Sequence, residues 1–279
     1  YQDLGRQGNG NLGVTTSGST DRASARTANA AVGNKRNATL LENVGGLTMT
    51  ALAETVICVT GADADVTVGG RPAPLATPTI VPAGAEVVVK PARLGFRTYV
   101  AVRGGLIADT ELDSAATDML SGLGPKPLAA GDTIAMSLTP PQSANSLLTN
   151  PLRVERDGAD VVGVVRCVLG PRDDWFDKDA VDRFFATTFT VTGDSNRVGL
   201  RLESDAPLTR SRDGELPSEG MVAGSVQIPP SGQPVLFLRD HAVTGGYPVI
   251  ATVINEDVDI AAQLPPGGKL RFERYTLEG

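Results

Sequence analysis

Thr244–Ile254 reads TGGYPVIATVI. Two glycines allow a tight turn. Pro248 fixes its own φ and opens a strand where a missing N–H costs least. The Val-Ile-Ala-Thr-Val-Ile run that follows is β-branched and apolar, the composition of a half-buried strand. Tyr247 stands between the flexible and the stiff parts. It is placed either to meet a ligand or partner or to plug the end of a barrel.

The same texture recurs in both directions. ETVICVTG (54–61), DVTVGG (65–70), AEVVVKPA (85–92), RTYVAVRGG (97–105) and AGDTIAMSL (130–138) read as strands in the first half. LRVERD (152–157), VVGVVRCVLGP (161–171), TFTVTG (188–193), VGLRLE (198–203), SVQI (225–228), QPVLFLRD (233–240) and KLRFERY (269–275) do so in the second. Short strands bounded by Gly, Pro and Asp favour barrels or sandwiches over alternating βαβ units. Three helices are expected: Asp21–Val32, capped by Thr20 or Asp21 and ended at Gly33-Asn34; Asp173–Thr187; and Asn255–Leu264. Residues 1–20 are a glycine-rich loop without the flanking strand and helix of a dinucleotide site. TPPQSANSLLTNP (Thr139–Pro151) reads as a linker. The chain therefore divides into a half spanning 1–140 and a half spanning 150–279.

Composition bounds the function. The chain has 279 residues, 41% hydrophobic, with 32 glycines and 19 prolines, which suits a packed, turn-rich β protein. A formal charge of −7 disfavours nucleic acid as a partner. Arginine is preferred; the lysines are Lys35, Lys90, Lys126, Lys178 and Lys269. Arginine forks suit carboxylates or phosphates, and a coding bias explains the same count. Cys58 and Cys167 lie in apolar runs and read as buried small hydrophobes in a reducing compartment. A single histidine, His241, makes a multi-histidine metal site untenable and a histidine triad a poor candidate. No stretch has the ~18 apolar residues of a membrane span, and no signal peptide is visible. A cytoplasmic protein is expected. The chain begins at Tyr1 rather than Met, which leaves room for residues ahead of it.

Four stretches carry polar chemistry. SGSTD (Ser17–Asp21) stands at a helix start, where N–H groups favour an anion and where the same residues serve as caps. DSNRVGLRLE (Asp194–Glu203) puts Arg197 and Arg201 on one face if it is a strand. That pair needs an anion or the neighbouring Asp194, Glu203 or Asp205. Pro217–Asp240 holds Ser218, Glu219 and Gln227 beside apolar strands. The fourth is Asp240-His241 followed by Thr244–Ile254. No P-loop, HExxH or GxSxG motif occurs.

Together these stretches resemble one family. QDLGRQG, SGSTD with SARTANAAVGN, LLE, YVAVRGGL, LAAGD, DSNRVGLRL, SEGMVAGSVQIPPSGQPVLFLRD, TGGYPVIATVI and AQLPPGGKLRF follow the order of the biotin-dependent carboxyltransferase-like proteins. That family is also called allophanate hydrolase subunit 2, and it includes the C component of bacterial 5-oxoprolinase and the antagonist of a sporulation kinase inhibitor. The resemblance covers nearly the whole chain. It implies a mostly β fold of two tandem cyclophilin-like β-barrel units with a few short helices. It implies a smaller partner, allophanate hydrolase subunit 1 or the kinase-inhibitor-like protein, and a third 5-oxoprolinase subunit. It implies ATP, with magnesium, as cofactor of a reaction opening 5-oxoproline to glutamate. Urea-type carboxyl transfer from carboxybiotin, or regulation without chemistry, are the alternatives.

Within that frame Asp21, Glu219 or Asp240 is expected as general base, and Arg197 or Arg201 as the oxyanion or phosphate contact. Ser17, Ser218, Gln227, Thr244 and Tyr247 are expected to bind substrate; no metal-ligating set is expected. The family's usual carboxylate in the SNR triplet is Asn196 here, and LDSAATD (112–118) replaces its usual GSRST-like run.

Overall fold

The computed structural model describes residues 1–137, 142–212, 214 and 216–276. It is mostly β with short helices. Two compact units emerge: Tyr1–Gln7, Ser17–Asp118 and Gly122–Leu152 form the first; Gly8–Thr16, Met119–Ser121 and Arg153–Gly279 form the second.

The first unit holds two four-stranded sheets. In one, Leu94–Val102 lies between Leu41–Val44 and Thr55–Asp63, with Thr79–Val81 at the far edge. In the other, Glu86–Val89 is flanked by Leu47–Thr50 and Val66–Val68. Alternate residues of both sheets (Ile57, Val59 and Val100 from one, Val66, Val87 and Val89 from the other) merge into one core. Two-residue periodicity sends these side chains to a common face.

Helix α1, Arg22–Ala31, packs Ala25, Ala28 and Ala31 against Cys58, Tyr99 and Ala101. Small side chains permit that close approach. It ends at Gly33 (φ 77°), where a Cβ would overlap the Gln142 carbonyl oxygen. The expected linker begins outside the described residues, at Thr139–Pro141. Its remainder is pinned to this unit: Asn150 accepts from Gly61 N–H (2.8 Å) and donates to the Gly61 carbonyl (2.7 Å).

The second unit closes a seven-stranded barrel. Its order is Asp160–Leu169, Val249–Val253, Ser225–Gln227, Val235–Phe237, Gly199–Glu203, Thr188–Val191 and Lys269–Arg274. The ring shuts through a parallel pairing of Lys269–Arg274 with Asp160–Leu169, from Val162↔Lys269 to Cys167↔Arg274. Closure leaves the seven-strand ring without an edge; Glu155–Asp157 is added outside it, pairing with Asp160–Val162. The expected helix Asp173–Thr187 divides. Asp173–Trp175 is a 3-10 turn, Phe176 is extended, and helix α2 runs Lys178–Ala186. Asp177 is the reason: its carboxylate accepts from Ala180 N–H at 2.7 Å and starts a new helix. Phe184 of α2 stacks on Phe272 at 4.5 Å, with Phe189 edge-on to Phe272 at 5.8 Å. The third helix is a single turn, Val258–Ala261, shorter than the expected Asn255–Leu264.

Asp257 ties this turn to the barrel. Its carboxylate accepts from Arg166 N–H (2.9 Å), Arg166 Nε (2.7 Å) and Arg153 (3.0 Å). Burial pushes its carboxyl up, but the Arg166 hydrogen bonds outweigh that and hold it below the ordinary value. A depressed folded-state value gives stability that is complete above the ordinary carboxylate range, about 3.9. It is lost as pH falls through the lower folded value. Asp257→Asn should therefore flatten the stability–pH curve in that acid window and lower stability at neutral pH. Urea midpoints measured across the window for both proteins check this; parallel curves would refute it.

Cys58 and Cys167 are buried, and burial pushes both thiols up to about 12. Neither is a thiolate nucleophile near neutral pH. Among the described residues no helix is long and apolar enough to cross a membrane.

Candidate functional site

In the first unit the glycine-rich loop bends sharply into α1. Ser17 is fully buried at φ 53°. A Cβ on Gly18 (φ 90°) would meet Gly5 N at 2.6 Å, so the loop folds back on the amino-terminal segment. Asp21 is the N-cap of α1. One carboxylate oxygen accepts from Ser24 N–H (2.9 Å) and the other from the Ser24 hydroxyl (2.6 Å). Both oxygens thus serve the helix start, the capping alternative raised by the sequence.

Three residues that the sequence did not single out as site candidates complete this cluster. Tyr99 accepts from Asp21 N–H (2.7 Å) and donates to Glu42 (2.9 Å). Glu42 also accepts from Thr20 N–H (2.9 Å) and hydroxyl (3.1 Å), and it lies 3.5 Å from Arg97 Nε. Burial, then the Glu42 charge, push the Tyr99 hydroxyl well above its ordinary value. The sequence did carry a signal: Arg97 and Tyr99 fall in phase on a strand whose other residues, Thr98 apart, are glycine or apolar. A buried cation at such a position demands a buried anion.

In the second unit the two arginines separate. The strand begins at Gly199, and Arg197 lies before it. Arg197 turns back to Asp240, donating from Nε (2.9 Å) and a terminal nitrogen (3.0 Å). Asp240 is fully buried, and its backbone N–H donates to the Arg197 carbonyl (3.0 Å). The partner is therefore Asp240, not Asp194, Glu203 or Asp205 as the sequence suggested. Arg201 is exposed between buried Leu200 and Leu202.

Register sets Arg201, Val235 and Gln227 abreast. Arg197 and Asp240 lie beyond the Gly199↔Phe237 pair, at the opposite end of the same strands. Extended backbone over the four-residue offset spans about 13 Å. The sequence-predicted residues of this unit thus form two groups.

The Arg197–Asp240 end also holds His241. It is 9% exposed, and its Nδ1 is 2.8 Å from the Ala242 carbonyl. Met119 N–H reaches Asp240 at 3.4 Å and the Thr15 hydroxyl donates to the Arg239 carbonyl at 3.2 Å. Two distant loop segments therefore converge on Arg239-Asp240.

The other end is a two-stranded ribbon, Glu219–Gly220 with Thr244–Gly245. Buried Gln227 donates to the Tyr247 carbonyl (3.0 Å). A Cβ on Gly245 would collide with Gln227 Nε2, so the ribbon presses on that amide. Tyr247 is 44% exposed, with the Arg210 guanidinium 5.7 Å from its ring centre. Ser218 and Thr244 are exposed beside it. Glu219 is forked by Arg172, whose hydrogen bonds hold it below the ordinary carboxylate value. A carboxylate so stabilised is a weak base. Asn196 accepts from Val198 N–H at 2.8 Å, a turn bond that a carboxylate would make equally well.

Among the described residues no group of three or more His, Cys, Asp or Glu could hold a metal. Neither of the two longer helices offers its start to a phosphate, because Asp21 and Asp177 already cap them. A separate groove of about 750 Å³ lies on the barrel, floored by Lys269, Arg271 and Thr190. None of the residues expected to be catalytic or to bind substrate lines it, whereas Glu203 and Asp205, the expected neighbours of the arginine pair, do.

Comparison with known proteins agrees with this fold. The chain is 31% identical to the C component of 5-oxoprolinase from Escherichia coli (strain K12) over 99% of its length and 88% of that protein's. It is 28% identical to urea amidolyase of Lachancea kluyveri, matching 96% of this chain but 16% of that one. The crystal structure of TTHA0988 superposes with a TM-score of 0.84 at 33% identity over 98% of this chain. The chain spans about half of that solved protein, 52%. Residues 12–274 match the family described as carboxyltransferase domain, subdomain A and B, and the chain belongs to that family.

Proposed function

We propose that this chain is one subunit of a heteromeric amide-processing enzyme that opens 5-oxoproline to glutamate at the expense of ATP. The observation that carries the reading is the collinear match to the 5-oxoprolinase C component along nearly the whole of both chains. The partners are a smaller subunit of the kinase-inhibitor-like, allophanate hydrolase subunit 1 type and a third 5-oxoprolinase component.

A lactam is flat and weakly electrophilic, so opening it requires charge stabilisation where its carbonyl becomes an oxyanion. Arg197 is the group assigned to that charge, because Asp240 fixes its guanidinium in a buried place. The exposed ribbon bearing Ser218, Thr244 and Tyr247 is assigned to substrate or partner contact. ATP supplies the driving force in the assembled enzyme. The capped helix starts of this chain do not fit its phosphates.

The test is a turnover assay of the purified protein, alone and with the two other components. It contains 5-oxoproline and ATP, and follows glutamate and ADP together. Coupled formation that needs all components supports the reading, and Arg197→Ala should then remove turnover without removing the complex. A stable complex without coupled turnover would overturn it. The 28% identity to urea amidolyase then favours carboxyl transfer from carboxybiotin to a urea-like amide, and regulation of the partner remains the other outcome.

A further inference from the structure

The face beside the exposed ribbon carries a charge that the chain leaves uncompensated. Among the described residues, four arginines of the second unit are buried or half-buried: Arg172, Arg197, Arg210 and Arg239. Three of them meet a carboxylate, Glu219, Asp240 and Asp259 in turn. Arg210 meets none among the described residues. One of its terminal nitrogens donates to the Ile228 carbonyl at 3.0 Å, and its Nε is shielded from solvent without an acceptor. Partial burial without a counter-charge is costly for a guanidinium. The arginine is nevertheless held in place. On either side of it Leu208 N–H donates to the Gly232 carbonyl (2.9 Å) and Ser211 N–H to the Trp175 carbonyl (2.8 Å). Its guanidinium stands over the exposed ring of Tyr247, whose carbonyl is fixed in turn by buried Gln227. The carboxylates closest by are already taken: Arg172 holds Glu219, and Arg212 holds Asp174.

The charge calls for an anion, and a guanidinium fork suits a carboxylate. Two observations choose its source. An exposed, rigidly held tyrosine beside an arginine is the composition of a protein–protein hot spot. Tyr247 and Arg210 also belong to the Gln227 end of the strands, about 13 Å from the Arg197 end, farther than a five-membered lactam reaches. A substrate seated on Arg197 therefore leaves Arg210 uncovered. We propose that the Arg210–Tyr247 face docks a partner subunit through an acidic side chain, its carboxylate on the guanidinium and an apolar neighbour on the tyrosine ring. The proposal rests on the heteromeric reading for the existence of that partner. It assigns this face of the ribbon to the partner rather than to substrate.

The test is calorimetric titration of the smaller subunit into the full chain, which requires no turnover. A saturable complex that weakens as salt rises is expected. Arg210→Gln should weaken it about tenfold or more and flatten its salt dependence, and Arg210→Glu should weaken it further. Tyr247→Ala, at an exposed position, should also weaken it about tenfold and serves if loss of the Ile228 bond keeps the arginine variants from folding. Unchanged affinity in a folded variant would overturn the proposal. So would a raised KM for 5-oxoproline with the complex intact, the mark of a substrate carboxylate at Arg210. If the variants lose affinity while the wild-type assembly shows no coupled turnover, the docking face stands and the oxoprolinase reading falls. Coupled turnover with unchanged affinity in the variants does the reverse. A wild-type chain that binds no smaller subunit overturns both.

Discussion

Asp240→Ala is expected to destabilise the barrel by about 3–5 kcal/mol, because removing one partner strands the other charge of a buried pair. Asp240 is fully buried and the Arg197 side chain is 14% exposed, so water recovers little of the arginine's lost interaction. The loss spreads further, since Asp240 also receives Met119 N–H and so helps to hold the loop at Met119–Ser121. Urea unfolding measures the cost. A double replacement, Arg197→Met with Asp240→Leu, separates stability from function. It removes both charges and keeps apolar volume, so stability should recover to within about 1–2 kcal/mol of wild type. Turnover in the assembled enzyme should not recover. A single variant that loses less than about 1 kcal/mol would show that the pair is not buried as described. A double variant that regains turnover would show that Arg197 carries no charge-stabilising role.

Phe272→Ala carries the second large effect, again about 3–5 kcal/mol for truncating a buried aromatic ring. Phe272 is 2% exposed, stacks on Phe184 and meets Phe189 edge-on. It also sits in the strand that closes the barrel, opposite Val165. The cavity would therefore open at the only parallel seam between described strands, where pairing is slightly weaker per residue than in antiparallel ladders. Phe272→Leu should cost distinctly less, since it leaves a smaller void. Guanidinium unfolding of both variants orders them. Equal losses would mean that ring stacking, not filled volume, dominates at this seam.

Much of the strand inventory was legible because β-branched runs bounded by Gly, Pro and Asp declare themselves locally. The Val249–Val253 strand behind Pro248 is one such case, and α1 with its Asp21 cap is another. The α2 boundary was less legible. Asp173 and Asp177 are both good cap residue types; the structure uses Asp177, whose carboxylate accepts from Ala180 N–H, and leaves Asp173 inside the 3-10 turn. The polar site was legible in its members and not in its pairings. Arg197 and Arg201 look equivalent four residues apart, yet the strand starts between them.

The sequence by itself determined a mostly β chain with short helices, its family, and the residue types at its polar positions. These depend on local propensity and on ordered motifs, which the linear text carries in full. Only the tertiary structure decided that Asp240 neutralises Arg197, that Arg172 occupies Glu219, and that Arg97, Tyr99 and Glu42 meet beside Asp21. It also decided that the barrel shuts through Lys269–Arg274 and Asp160–Leu169. Each of these joins residues dozens of positions apart. Strand register and burial choose the partner of a charge, and neither is a property of the residues next to it in the chain.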